Sequence, residues 1–450
     1  MKVHFIAIGG SVMHQLAIAL KKKGDIVSGS DDEIFEPAAS NLKAAGIFPE
    51  NFGWFPEKID SETEAVILGM HAQKDNPELQ RALELHVPVY SFPEFIYKRS
   101  IDKKRVAIGG SHGKTTTTSM IMHVLKFAGK DFDYLVGARL EGFDSSVKIT
   151  DAPLIICEAD EYPASVVEKR PKFHFLFPDI AVLTGIAWDH INVFPTFEIY
   201  CEQFKIFIEK IESGGVLVYN NRDEILKSIV EKCDRKDIRL IPYQIPAHSI
   251  RDGITYLEKE GKQVPLKIFG DHNLSNSEAA FLVCKELGIG TEVFLNAISE
   301  FRGASRRLEN IFKKEDMSVF RDFAHAPSKV KASAAAVRAQ FPNRKLVAIL
   351  ELHTYSSLNE NFMKEYHGAL DTADIAIVFY SRHALTIKRM PFLEPAKVKA
   401  GFAKENLIIA NDKNELLSVL GKIDPHDTNF LFMSSGDYDG LNILQSLQLT

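Results

Sequence analysis

The chain has 450 residues, 45% hydrophobic and 25% charged, with a formal net charge of −6, a globular balance with core-forming material for about three domains of ordinary size. A net negative chain without a long basic stripe argues against a nucleic-acid partner, and no uninterrupted apolar stretch reaches the length that membrane insertion requires. Cys157, Cys201, Cys233 and Cys284 form no Cys-x-x-Cys pair, and the apolar start is too short for a signal peptide, so the expected location is the reducing cytoplasm.

In chain order, the first hundred residues alternate strand and helix. Val3 to Ile8 reads as a strand ending at Gly9-Gly10, and a helix follows through Lys23. Ile26-Val27-Ser28 is a second strand running into Gly29-Ser30-Asp31. Ala65 to Leu68 and Val87 to Tyr90 are further strands. This rhythm predicts a parallel sheet with crossover helices. Ala7-Ile8-Gly9-Gly10-Ser11-Val12 misses the dinucleotide fingerprint at its first and third glycines, yet Asp31 follows Gly9 by about 22 residues, where an acid reads a ribose in such folds. The pair reads either as a nucleotide-binding turn or as a plain glycine turn with a capping aspartate. The polar segment Lys98 to Arg105 is the expected linker to the next domain.

Arg105 to Ile108 is a short buried strand, followed by Gly109-Gly110-Ser111-His112-Gly113-Lys114-Thr115-Thr116. Met120, Ile121, Val124, Leu125 and Ala128 then repeat with the spacing of one helix face, and Gly129 stands where a helix stops. Strand, glycine loop, Gly-Lys-Thr and helix make a phosphate-binding loop: backbone N–H groups face the phosphates, Lys114 reaches the terminal ones, and Thr115 helps hold Mg²⁺. One position departs from the usual pattern, with Ile108 where a glycine is expected.

Leu154 to Cys157, Ile180 to Thr184 and Gly215 to Tyr219 continue the buried strands, and Arg239 to Lys267 reads as an antiparallel excursion. Glu158-Ala159-Asp160-Glu161 follows the first of these strands. Three acids in four residues repel unless a cation neutralises them, and an acid at a strand end beside a phosphate loop suits Mg²⁺. Trp188-Asp189-His190 follows the next strand on the same face. Gly270-Asp271-His272-Asn273-Leu274-Ser275-Asn276 opens a helix, where Asn273 and Asn276 share a face and read either as an adenine-edge pair or as capping residues. Arg306-Arg307 lies at the expected domain junction, ahead of five further strand candidates, Ser318 to Phe320, Leu346 to Leu350, Ile375 to Phe379, Leu407 to Ala410 and Asn429 to Met433, and Asp322-Phe323-Ala324-His325 follows the first of them. These form a second doubly wound unit.

As an ordered set, these segments resemble the Mur ligases, ATP-dependent amide-forming enzymes of peptidoglycan metabolism. The resemblance runs nearly end to end. It implies an α/β chain of three domains: a Rossmann-like UDP-sugar domain over 1–103, a P-loop ATPase with a mostly parallel sheet over 104–310, and a Rossmann-like domain for the incoming amine over 311–450. It implies ATP and Mg²⁺. Gly110, Ser111, His112, Gly113, Lys114, Thr115, Thr116, His272, Asn273, Asn276, Arg307 and Asp322 would bind the nucleotide. Thr115, Glu158 and His190 would hold the metal, and Lys114, Glu158, His190 and Arg307 would form the catalytic set. Gly9, Gly10, Ser11, Val12, Met13, Asp31, His71, His325 and His353 would contact the substrates.

The implied reaction joins the lactyl carboxylate of UDP-N-acetylmuramate to an amine through an acyl phosphate. Tyr162 after Glu161, Lys169 to Phe173 and Met433 to Gly436 are similar to members that take L-alanyl-γ-D-glutamyl-meso-diaminopimelate, in peptidoglycan recycling. Members that take free L-alanine are the alternative. Gly185, Ala326 and the run Leu352 to Ser357 depart from those patterns. Outside the family, a P-loop NTPase or a non-catalytic nucleotide-sugar sensor is the competing reading.

Overall fold

Residues 1–70, 72–137, 140–165, 167–188, 193–303 and 307–449 are described by the computed structural model. The chain packs as two compact units, Met1–Gln244 with Ser275–Ile298, and Ile245–Leu274 with Ser299–Thr450.

The first unit holds two sheets. Strands β1 (Lys2–Ile6), β2 (Ile26–Ser30), β3 (Ala65–Leu68) and β4 (Val89–Ser91) lie parallel in the order β2-β1-β3-β4. Val3, Phe5 and Ile6 of β1 are fully covered, as expected of a parallel strand buried on both faces. The strand ends earlier than the apolar run suggests, because Ala7 turns to φ +64 and starts the glycine turn at Gly9. The helix Ser11–Lys23 follows, with Lys21, Lys22 and Lys23 in its last turn, where the helix dipole favours cations.

The larger sheet contains β5 (Lys104–Gly109), β6 (Asp133–Leu135), β7 (Val147–Lys148), β8 (Leu154–Glu158), β9 (Ile180–Leu183), β10 (Val216–Asn220) and β11 (Arg239–Tyr243). Its order is β11-β10-β9-β5-β8-β6-β7, parallel except for β7. The chain moves to one side of β5 for β6 to β8, then crosses to the other for β9. The crevice beyond the carboxyl end of β5 is therefore a topological switch point, where doubly wound sheets bind ligands.

Two sequence expectations need correction here. Arg105 is no linker residue: it lies inside β5, 7% exposed, and donates to the carbonyls of Ser100 and Phe177 and to Glu212. The helix Phe92–Lys98 ends where the linker begins, which leaves Arg99 to Lys103 as the connection. The excursion expected over Arg239 to Lys267 also divides. Strand β11 stays parallel in the large sheet, and the antiparallel part begins at His248.

The second unit holds that antiparallel meander, β12 (His248–Arg251), β13 (Ile254–Lys259) and β14 (Lys262–Leu266). Its turns, Asp252-Gly253 and Glu260-Gly261, place both central residues at positive φ, the twist that two-residue hairpins require. The main sheet contains β15 (Glu309–Lys313), β16 (Met317–Asp322), β17 (Lys345–Glu351), β18 (Ile375–Phe379), β19 (Ile408–Ala410) and β20 (Thr428–Met433), in the order β15-β16-β20-β17-β18-β19. All are parallel except the edge strand β15. All five strands expected in this part are present, and β15 is an addition. The helix Asp271–Glu286 contributes its residues up to Leu274 to the second unit and the rest to the first. Among the described residues, no helix is long and apolar enough to cross a membrane.

Candidate active site

The loop after β5 is built by its neighbours as much as by itself. Gly110 and Gly113 sit at φ +124 and +87, conformations that side chains rarely adopt. A Cβ on Gly110 would fall 2.2 Å from Thr184 Oγ1, and one on Gly113 would fall 2.5 Å from Asn276 Oδ1. The Ser111 N–H donates to the Gly185 carbonyl at 3.0 Å, and the Thr184 hydroxyl donates to the Gly109 and His112 carbonyls. Asp223 holds the facing loop by accepting from Ile186 N at 2.7 Å. The His112 ring turns back to the Ser111 carbonyl at 2.7 Å, and Thr116 is buried in the first turn of the helix Lys114–Phe127.

Lys114 Nζ donates to the Gly110 carbonyl at 2.6 Å and to Glu161 Oε2 at 2.7 Å. Glu161 is 1% exposed and also accepts from Tyr200 OH at 3.1 Å. That phenol lies 2.8 Å from Ser111 Oγ, which accepts from Ala187 N at 2.8 Å. A hydrogen-bonded chain thus runs from the loop serine through Tyr200 and Glu161 to the loop lysine. Burial opposes the Lys114 charge, but Glu161, Asp160 and Glu158 outweigh it and hold the ammonium above the ordinary lysine value.

The three acids at the end of β8 have different hydrogen-bonding partners. Glu161 takes Lys114, Asp160 takes Lys172 at 2.7 Å, and Glu158 accepts from Thr115 Oγ1 at 2.8 Å and Gly137 N at 3.1 Å. Thr115 and Glu158 are therefore adjacent hard oxygen donors beside the phosphate loop, a set that fits Mg²⁺. Among the described residues, no group of three or more His, Cys, Asp or Glu is arranged for a metal. His190, Asp189, His71 and Arg306 lie outside the described residues.

At the first sheet, Asp31 Oδ2 accepts from Gly9 N at 2.6 Å, and Oδ1 accepts from Asp32 N at 3.0 Å. Both carboxylate oxygens are thus engaged in holding the turn. Burial, with Asp32 nearby, pushes the Asp31 carboxyl up to about 6. Gly10 leads into the helix that Ser11 opens; Ser11 is exposed, Val12 half-buried, and Met13 turns into the apolar core.

In the second unit, the Arg307 guanidinium lies 4.9 Å above the Phe323 ring, and Asp322 accepts from the Ser333 hydroxyl. His325 Nδ1 is 2.9 Å from the Phe323 carbonyl. Burial pushes the His272 ring below the ordinary histidine value, against the pull of Asp322 and Asp271. His272 borders a cavity of about 290 Å³ with Gly270, Leu274, Ala332, Ala336 and Gln340. Asn273 donates back to the Phe269 carbonyl at 2.9 Å, the local bond of a helix-start residue, whereas Asn276 faces Gly113. His353 stands after β17, with Nδ1 3.6 Å from Glu351 Oε1.

Sequence reasoning missed Tyr200, Thr184 and Asp223 as supports of the loop. Only Thr184 carried a signal, its position at the end of the strand next to β5.

Three family models match the chain: "Mur ligase family, catalytic domain" over residues 2–101, "Mur ligase middle domain" over 108–284, and "Mur ligase, glutamate ligase domain" over 306–436. A UDP-N-acetylmuramate–L-alanine ligase of Aquifex aeolicus is 31% identical, covering 97% of this chain and 95% of its own. The chain belongs to the Mur ligase family. A ligase of the same name from Caldicellulosiruptor bescii is 34% identical over 84% of this chain and 83% of its own. Among solved structures, the UDP-N-acetylmuramate–alanine ligase of Thermotoga maritima has a TM-score of 0.66 at 24% identity, covering 100% of this chain and 97% of its own. The murein peptide ligase of Psychrobacter arcticus has a TM-score of 0.62 at 21% identity, covering 99% and 98%. Both Mur ligase structures share the α/β fold expected from the sequence.

Proposed function

We propose that this Mur ligase joins the lactyl carboxylate of UDP-N-acetylmuramate to the amine of L-alanine, in the cytoplasm, with ATP converted to ADP and phosphate. The observation that carries the reading is the loop cluster: Lys114, Thr115 and Glu158 converge at the switch point of a parallel sheet. The relatives named above favour free L-alanine over the tripeptide that the sequence put first. Tyr162, one residue that pointed to the tripeptide, also has a local role: its carbonyl accepts from Lys172 N at 2.9 Å, and Lys172 Nζ lies 5.6 Å over its ring.

A free carboxylate is a poor acylating agent, so the carboxylate takes the γ-phosphoryl group of ATP and becomes an acyl phosphate. The amine then attacks that carbonyl, and phosphate leaves. The obstacle is the approach of one anion to a polyanion. Lys114 and the loop N–H groups offset that repulsion. Thr115 and Glu158, with His190, would hold Mg²⁺, which when bound supplies further positive charge at the phosphates. His272, Asn273, Asn276, Arg307 and Asp322 are proposed to contact ATP. Gly9 to Met13, Asp31, His71, His325 and His353 are assigned to the substrates, with the three domain roles set out for 1–103, 104–310 and 311–450.

A second reading, with the tripeptide as acceptor, is favoured by one observation. An open groove of about 470 Å³ lies beyond the carboxyl end of β18, lined by Arg382, Leu385, Thr386, Met390 and Phe392. It offers room and a cation for a peptide longer than one residue. Phosphate release measured with ATP, UDP-N-acetylmuramate and either L-alanine or the tripeptide separates the two. Release that depends on L-alanine supports the main reading. ATP turnover indifferent to any amine would overturn both in favour of a P-loop NTPase.

A further inference from the structure

Within the first unit, Met1–Gln244 with Ser275–Ile298, one side chain touches the carboxyl edges of both sheets. Phe92 comes directly after β4, at the edge of the small sheet, and Asp160 comes two residues after β8, at that of the large one. Lys172 stands between them. Its Nζ donates to Asp160 Oδ2 at 2.7 Å, and lies 5.7 Å from the centre of the Phe92 ring and 5.6 Å from that of Tyr162. An ammonium is attracted to aromatic faces at this range.

The backbone beneath this lysine is fixed on both sides. Lys172 N donates to the Tyr162 carbonyl at 2.9 Å, Phe173 N donates to the Asp160 carbonyl at 3.1 Å, and Pro171 pairs with Pro163 as a β-bridge. A Cβ on Gly109 would meet the Phe173 ring at 3.6 Å, so the same short turn packs against the start of the phosphate loop. Of its basic neighbours, Arg170 is engaged by Glu168 at 2.6 Å and lies over the Phe175 ring, and Lys169 is exposed. An ammonium carries three donors. Among the described residues Asp160 is the one hydrogen-bond acceptor that Lys172 Nζ reaches, and 19% of the lysine side chain stays open. Lys172 is therefore anchored in place with donors left over.

The acid run shows what those donors can serve. Asp160 and Glu161 are consecutive, and each takes a lysine: Glu161 takes Lys114 of the phosphate loop, and Asp160 takes Lys172. The first cation faces the nucleotide. The second touches the edge of the small sheet, where a sheet of this kind presents its ligand and where the sugar nucleotide is assigned. The ligase reaction needs a cation in that place, because the attacking carboxylate must be held beside a triphosphate that repels it. We propose that Lys172 binds the lactyl carboxylate of the sugar nucleotide and holds it next to the phosphate loop, with Asp160 orienting the ammonium. The assignment rests on the ligase reading above.

The test compares UDP-N-acetylmuramate with its methyl ester, which has the same body and no charge on the lactyl group. Binding of each to the full chain is measured by calorimetry. The wild type binds the acid roughly tenfold to a hundredfold tighter than the ester, the strength of a hydrogen bond to a charged group. In Lys172→Gln the acid falls to the affinity of the ester, the ester stays within about twofold of its wild-type value, and the KM for ATP is unchanged. Lys172→Arg keeps the charge and restores most of the preference. Equal weakening of acid and ester in Lys172→Gln gives the lysine to the fold alone and overturns the proposal. So does a preference for the acid that survives the substitution, or a wild type with no such preference. A wild-type chain that binds neither compound overturns the ligase reading itself, and the role of Lys172 with it.

Discussion

Lys114 already has an anionic partner before any nucleotide arrives, because the buried carboxylate of Glu161 sits 2.7 Å away. A triphosphate must displace or outweigh that carboxylate, which a polyanion does more readily than a monophosphate. Replacing Lys114 with alanine strands Glu161 as a buried charge and removes the cation at the phosphates. Turnover is expected to fall at least about a hundredfold, by analogy with other preorganised electrostatic groups. Near-normal phosphate release by Lys114→Ala would remove the loop from the reaction. Asp31 gives a pH-dependent prediction. Its folded value of about 6 lies above the ordinary 3.8, so the fold favours the protonated acid. That contribution is complete below about pH 4 and lost as pH rises through 6, so the ionised acid costs stability at neutral pH. Asparagine keeps one acceptor, like the protonated acid. Asp31→Asn is therefore expected to melt higher than the wild type at pH 8, with the gap narrowing toward pH 4. Melting curves offset equally at both pH values would contradict the assignment.

Among the elements, the phosphate loop depends on geometry that its own residues only partly encode. Gly113→Ala must place a methyl against Asn276 Oδ1 at a left-handed backbone. It is expected to lose about 1–3 kcal/mol of stability and much of its nucleotide affinity. Gly214 has a similar φ, +80, with open space around it. Gly214→Ala therefore reports the backbone strain alone, and thermal melts of the two variants isolate the clash; equal melting losses would deny it. The loop was legible in the sequence because strand, glycines, lysine and helix are contiguous. Its supports were not. Tyr200 stands in a helix with Phe197, Phe204 and Phe207, and nothing local marks its hydroxyl as the one facing Glu161. The acids after β8 could be counted from sequence but not aimed, since their partners Thr115, Lys172 and Lys114 come from two separate segments. Strand β15 stayed hidden for a related reason: its residues are half-buried or exposed at a sheet edge, so no apolar run announces it.

At the scale of the whole molecule, the rhythm of apolar strands and amphipathic helices made the α/β architecture readable, because parallel strands buried on both faces leave continuous apolar runs. Which segments pack together was less readable. The meander β12 to β14 follows the large sheet in sequence but belongs to the unit that contains β15 to β20. Thr255 Oγ1 donates to Gln340 Oε1 at 2.8 Å, Gly253 abuts the Phe341 ring, and Phe269 meets Phe320 edge-on at 5.4 Å. An expression fragment stopped near residue 300 would therefore keep the meander while discarding what it rests on. Phe269 and its neighbours would face water, a liability for clumping. Dissecting this protein into separately soluble pieces requires excising 245–274 along with the C-terminal portion, a splice that no single cut in the chain can make.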